Sequence, residues 1–553
     1  MKRILLLSYF DLPPHLKSCL LYLSVFPEDY FIDCRELILL WVAEALIPGK
    51  DRESMEELGR SYLNDLINRS LVQPVKFGAD GATVKVCRVH DVILEFIVSK
   101  AVEGNFVTIW NHNGFSDNYP SNKIRRLSIQ EDISGKAEEM MKTIKNAAHI
   151  RSISTFGDNN SVLGKRASEF LCSHVLRVLN IRGVVRECYL GHVKRISQMK
   201  YCRITDGTQE LPEDIEKLQH LETLDISNTS IRKLPASIIQ LQRLVRLYVS
   251  WRLQLPNGIG NLQALEELSM IELGCQSVKF INGLGDLINL KVLRISWWRD
   301  TVVRDVEGHK KACISSLTKL FMRLRQLSVW GWPDATFPFM SLYVGTPPPL
   351  QRLALSNWNK SSVVPHQISS LLNLTRLKIG LRGEVSKEGI NILTSLPILA
   401  SLTISLLDDE EGESAIFHPR HAINSQGFQR LVKFTFRCWS EAVLEFEPGA
   451  MPKLQRLKLQ PLPARCQFKY GDGGLVLGLQ NLAGLKHVAL SINCKAAKRA
   501  ATTDEVDSLE DDIRGAAGLH HNRPIVQVER RYQGSMAHVC SRRPSGHPIL
   551  EAP

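Results

Sequence analysis

The chain has 553 residues, 44% hydrophobic and 23% charged, with a formal net charge of +12 at pH 7. That balance is ordinary for a folded soluble protein. Its basic surface suits an acidic protein partner, an anionic membrane surface or nucleic acid, and chooses none of them. The twelve cysteines are scattered and form no C-x-x-C pair, so neither a zinc ribbon nor a redox motif is written here. Scattered cysteines at inward-looking positions fit a reducing compartment.

The N-terminus, MKRILLLSYFDLPPH, imitates a secretory signal, but its apolar run is short and Asp11-Leu-Pro-Pro replaces a small-residue cleavage site. The stretch Leu37 to Ile47 is interrupted by Glu44 and falls far below the roughly 20 residues of a membrane span. The expectation is a soluble intracellular protein with no transmembrane segment. Residues 1–11 read as a stub. From Leu12 the pattern turns helical: Leu12, Leu16, Cys19, Leu20 and Leu23 recur behind Pro13-Pro14, a first-turn signal. Phe26-Pro27 ends that helix. Ile38 to Ala45 form a second helix, stopped by Pro48-Gly49, and Met55 to Ile67 a third. Leu71-Val72 and Thr83 to Cys87 flank a Gly78 to Gly81 turn and read as a hairpin wing. Val89-His90-Asp91 then opens a fourth helix. Helices plus a hairpin describe a winged-helix domain over 12–110, with a linker over 111–123.

From Ile124 to residue 494 a repeat takes over. Leu221, Leu224 and Ile226 stand at offsets 0, 3 and 5, and Leu244, Leu247 and Val249 repeat them 23 residues later. L-x-x-L-x-L at a period of roughly 20–29 residues is the leucine-rich-repeat signature. Side chains alternate along a strand, so the inner residues of each strand point one way and need stacked neighbours to bury them. Further strands are expected to start at Ile124, Ile150, Leu176, Val193, Leu265, Leu290, Leu324, Leu350, Leu374, Leu399, Leu431, Leu454 and Leu485. Val193 sits only 17 residues after Leu176. Leu211-Pro212, Leu234-Pro235 and Leu255-Pro256 mark turns into the convex return segments. The fold class is α/β: an N-terminal winged helix followed by a leucine-rich-repeat solenoid with a concave parallel β-sheet. After it, 495–533 read as a cap with a helix over Val506 to Ala517, and 534–553 as a disordered tail.

LPPHLKSCLLYLSVFPEDYFIDCRELILLWVAEALI resembles the winged-helix part of plant intracellular immune receptors of the NB-ARC, leucine-rich-repeat family, the coiled-coil class of grasses. CRVHDVILEFI is similar to that family's MHD motif, with Val89 where methionine usually stands. HHNRPIVQVERR resembles the family's C-terminal segment. The resemblance implies that His90 would meet the β-phosphate of bound ADP and that Asp91 would help hold the inactive arrangement. Read without it, Asp91 caps a helix and His90 is a surface residue. A nucleotide switch also needs G-x-x-x-x-G-K-[ST]. The nearest string has six residues between Gly157 and Gly164, with Arg166 where the hydroxyl should stand. No cofactor is therefore expected, and ADP only if an upstream nucleotide-binding domain completes the site. The chain is expected to be either a product lacking that coiled-coil and phosphate-loop portion or part of a longer receptor.

The outward strand positions carry the recognition argument. Arg294, Trp330, Arg352, Arg376, Lys378, Lys433, Arg437 and Arg456 would line successive strands, and arginine and tryptophan dominate interface hot spots. Trp298, Trp332, Trp358 and Trp439 lie just beyond, and each could equally tuck into its own loop. The function expected is plant innate immunity: binding of a pathogen effector, a guarded host protein or another immune receptor. The alternatives are a partial nucleotide switch, a truncated regulator or decoy of full-length receptors, and a nucleic-acid-binding winged helix. Ile38 to Ala45 is too apolar for a recognition helix, so no nucleic acid is expected. No paired acid and base, metal-ligand set or nucleophile stands out, which points away from an enzyme. The location implied is the cytoplasm, extending to the inner face of the plasma membrane, where a basic surface allows weak association, or the nucleus.

Overall fold

In the computed structural model the described residues are 2–49, 51–78, 81–111, 114–115, 124–130, 149–156, 174–182, 196–205, 210–297, 305–332, 338–341, 347–356, 363–382, 385–407, 420–423, 427–438, 443–463, 476–494 and 503–531. They divide into two compact units, residues 1–333 with 337–352, and 353–553 with 334–336.

The first unit opens with α1 (Lys2–Phe10), so the stretch read as a stub is helical. Then follow α2 (Pro14–Tyr22), β1 (Ile32–Asp33), α3 (Cys34–Ala43), α4 (Arg52–Asn68), β2 (Gln73–Phe77), β3 (Val84–Arg88) and α5 (Asp91–Glu103). α2 starts on proline, whereas α3, α4 and α5 each start on a capping side chain that satisfies an orphan N–H. Asp33 accepts from Glu36 N–H at 3.0 Å and Asp51 from Ser54 N–H at 2.8 Å. Strand β3 pairs antiparallel with both β1 and β2, which makes the wing. α3 buries Leu37, Leu40 and Trp41 completely, so it forms the core of the winged helix.

The repeat sheet begins earlier than expected. Thr108–Asn111, placed in the winged-helix stretch by sequence, pairs parallel with Arg126–Ile129. From there a parallel ladder runs through strands beginning at Ser152, Val178, Tyr201, Thr223, Arg246, Glu267, Val292 and Gln326. The strand expected near Val193, itself outside the described residues, stands instead at Tyr201–Thr205. Met199, Cys202 and Ile204 fill the three inward positions, all fully buried. They satisfy the 0, 3, 5 pattern with methionine and cysteine where leucine is usual.

One file of inward side chains runs in register across the unit: Leu127, Ile153, Leu179, Cys202, Leu224, Leu247, Leu268, Leu293 and Leu327. Leu224, Ile226, Leu247 and Val249 are buried to 1% exposure or less. Trp332, completely enclosed, packs edge-on against Trp297 and Phe339. It belongs to a satellite core. Trp298, Trp358 and Trp439 lie outside the described residues.

In the second unit the parallel ladder comprises Arg376–Arg382, Ser401–Leu407, Lys433–Cys438, Arg456–Pro463, His487–Asn493 and Ile525–Arg531. The cap thus adds a strand to the sheet, after the helix Thr503–Leu519. His520 fastens it: Nε2 lies 3.2 Å from Leu482 O, Nδ1 accepts from Asn522 N–H, and Asn522 Nδ2 donates to Ala483 O at 2.6 Å. A second, short parallel sheet joins Arg420–Ile423, Val443–Phe446 and Val476–Leu477. The tail 534–553 lies outside the described residues.

Candidate functional site

Every strand that buries leucines on one side presents its alternate residues on the other. In the first unit that outward face is covered by the winged helix. Glu44 of α3's C-terminus accepts from Arg126 Nε at 2.9 Å, with both side chains buried, and the guanidinium also lies 4.1 Å over the Phe106 ring. Ser128 Oγ donates to Val25 O. Glu36 gathers Arg203 at 3.0 Å, Tyr201 Oη at 3.3 Å and Arg182. Arg35 pairs with Glu267, and Glu56 with Arg246. Glu53 reaches Lys291, and Arg52 reaches Glu222 and Glu266. Phe26 and Tyr30 pack on Phe156, so the apolar core of the winged helix continues onto the sheet.

Arg294, expected to face a partner, belongs to this internal set. Its Nη1 donates to Ser269 Oγ at 2.9 Å and lies 3.2 Å from Glu267. Burial alone would raise the Glu267 carboxyl, but Arg35 and Arg294 outweigh it and hold the group below its ordinary value. Trp330 closes its strand half-buried, and its carbonyl accepts from Trp297 N–H at 2.8 Å. Arg352 is exposed, with Nη1 3.4 Å from Gln326 Oε1. These three lie in the first unit.

The other five lie in the second unit, and its register brings them together. One outward row reads Arg376, Ser401, Lys433, Arg456, His487. The next reads Lys378, Thr403, Thr435, Lys458, Ala489, and a third holds Ser405, Arg437, Gln460. Small residues are thus interspersed among the cations. Burial first, and then the positive charge of Arg437, hold Lys378 below the ordinary ammonium value. No carboxylate among the described residues is ion-paired with Arg376, Lys378 or Arg437.

His90 and Asp91 sit exposed at the start of α5. His90 Nδ1 accepts from Val92 N–H at 3.4 Å, so the ring caps its own helix. Among the described residues no group of His, Cys, Asp and Glu could hold a metal ion, and no helix is long and apolar enough to cross a membrane. What sequence reading missed is the acidic side of the first interface, Glu36, Glu44, Glu53 and Glu56. Their clustering on α3 and α4 was visible, but not the cations they face.

A repeat solenoid headed by a winged helix is thereby defined, and comparison with known families agrees. Residues 149–526 match the leucine-rich repeat region family and residues 25–97 the disease resistance protein winged helix domain. The rice (Oryza sativa subsp. japonica) disease resistance protein Pik-2 is 30% identical over 89% of this chain and 51% of its own length. Rice disease resistance protein RGA5 is 29% identical over 99% of this chain and 47% of its own. A putative disease resistance RPP13-like protein 2 of Arabidopsis thaliana is 27% identical over 82% and 50%. This chain belongs to the leucine-rich-repeat disease resistance proteins of plants. It spans about half the length of the curated relatives it matches.

Proposed function

We propose that this chain is the recognition portion of an innate-immunity receptor. It binds protein, in the cytoplasm, through the outward face of its second unit: a pathogen effector, a guarded host protein or another immune receptor. The observation that carries this reading is the register that assembles Arg376, Lys378, Lys433, Arg437 and Arg456 on one face. Such a field steers an acidic partner and makes association salt-sensitive. Arg352 and Trp330, on the first unit, are separate partner-facing candidates there, whereas Arg294 is engaged with Glu267, which also pairs with Arg35 of the winged helix. The role is binding and not catalysis.

The test is co-precipitation from infected and healthy plant tissue, comparing wild type with Arg376→Glu/Arg437→Glu. Loss of partners supports the reading, and equal recovery of the same partners defeats it. The nucleotide role of His90 and Asp91 stays secondary. A capping histidine and one helix N-terminus supply few phosphate donors.

A further inference from the structure

Asparagine is thermolabile, most of all before glycine, where no Cβ hinders the next backbone nitrogen as it swings toward the side-chain amide. The sequence holds three Asn-Gly pairs, at Asn113, Asn257 and Asn282. Asn113 lies outside the described residues. The other two follow successive strands of the first unit, and both asparagines are exposed.

Their backbones differ. Asn282 and Gly283 lie inside the helix Val278–Leu284, where each N–H points to the carbonyl four residues back and away from the side chain before it. Asn257 and Gly258 stand in a turn instead. Gly258 has φ +86°, and among the described residues its N–H donates to nothing. That nitrogen is free to act as a nucleophile. Opposite it, Ser277 Oγ donates to Asn257 Oδ1 at 2.5 Å while accepting from Phe280 N–H at 3.1 Å. The second bond fixes the hydroxyl, so the first aims a donor at the oxygen where charge develops when Cγ is attacked. The turn also keeps its glycine: a Cβ at 258 would meet Ile239 Cδ1 at 3.2 Å, in a left-handed backbone that disfavours other residues.

We propose that Asn257-Gly258 is a site of spontaneous deamidation selected by the fold. Gly258 N loses its proton to solvent hydroxide and bonds to Asn257 Cγ, and the oxyanion on Oδ1 takes the Ser277 donor. The Cγ–Nδ2 bond then breaks, and ammonia leaves with a proton from water. Water opens the remaining five-membered succinimide at either carbonyl. Opening at Cγ leaves aspartate at 257, and opening at the main-chain carbonyl leaves isoaspartate. Water enters, ammonia leaves, and nothing is oxidised or reduced.

The two products differ in consequence. The aligned turn Leu211-Pro212-Glu213 already carries a carboxylate after its proline, so aspartate suits the repeat. Isoaspartate adds a carbon to a main chain held on both sides, by Leu255 N–H donating to Gln276 Oε1 at 2.9 Å and by the fully buried Ile259.

The test incubates the full chain at mildly alkaline pH in isotope-labelled water, folded and in guanidinium. Peptide mass spectrometry with electron-transfer fragmentation then follows Asn257 and Asn282 separately. The folded chain should convert Asn257 at least roughly tenfold faster than Asn282, and unfolding should bring the two rates together. Equal rates in the folded chain, no conversion at Asn257, or the same ratio in guanidinium as in the native state overturns the site. Ser277→Ala should slow Asn257 severalfold, and Ser277→Thr, which keeps the hydroxyl and the helix cap, should restore the rate. If Ser277→Ala reacts as fast as wild type or faster, the role given to the hydroxyl is overturned.

Discussion

The two units present outward faces of similar make and engage their cations differently. In the first, Arg126, Arg182, Arg203, Arg246 and Lys291 meet carboxylates from the chain's own winged helix. In the second, Arg376, Lys378 and Arg437 gather with no described carboxylate paired to them. A basic row is therefore not by itself a recognition site. In the first unit it is an internal joint, enclosed enough that Glu44 and Glu267 are both buried. Buried pairs tie folding to the presence of both partners, whereas the half-buried Arg376, Lys378 and Arg437 of the second face are held by no described carboxylate.

The largest expected effect breaks the first face. Glu44→Ala strands Arg126 as a buried cation and should cost about 3–5 kcal/mol in denaturant unfolding of the full chain. A loss within about 0.5 kcal/mol would mean that the winged helix does not depend on this pair.

Acid should reach the same joint. Glu267's folded pKa lies below its unfolded value, so its stabilisation is present above the ordinary carboxylate range and is lost as pH falls through the folded value. Thermal scans should show stability falling below about pH 4, and Glu267→Gln should flatten that limb while lowering neutral-pH stability. An unchanged acid limb in the variant would place the sensitive carboxylates elsewhere.

On the second face the same kind of change should look different. Arg376→Glu/Arg437→Glu should leave unfolding within about 0.5 kcal/mol of wild type while partner recovery drops and loses its salt dependence. Large destabilisation would make these cations a second internal joint.

At the rim of the first face, Glu53 is 63% exposed beside Lys291, so Glu53→Ala should cost at most about 1 kcal/mol. Smallest of all is His90→Ala in a calorimetric ADP titration. One charge-assisted hydrogen bond is worth roughly 1.5–3 kcal/mol, which leaves binding weaker than millimolar. Micromolar ADP affinity that vanishes with His90 would restore the nucleotide reading.

Local periodicity made most strands legible. Strand starts at Leu221, Leu244, Leu265 and Leu290 each precede an observed strand by two residues, because alternation along a strand is a property of neighbouring residues. Met199-x-x-Cys202-x-Ile204 escaped because a pattern tuned to leucine skips methionine and cysteine, though burial treats them alike. The strand Ile525–Arg531 looked like part of a cap, since no single segment reveals that it pairs with His487–Asn493.

By itself the sequence determined the repeat, the winged helix and the family, all of which rest on patterns a few residues long. It also determined that cations would occupy outward positions. Only the tertiary structure decided which of them stay engaged within the chain. Glu44 and Arg126 stand 82 residues apart, and Glu53 and Lys291 238 apart. Whether such charges meet depends on where α3 and α4 pack, which is set by burial of Leu37, Leu40 and Trp41 together with Phe156 and Tyr201 in one shared core. Apolar burial is non-directional and sums over the whole molecule, so no local spacing encodes its outcome.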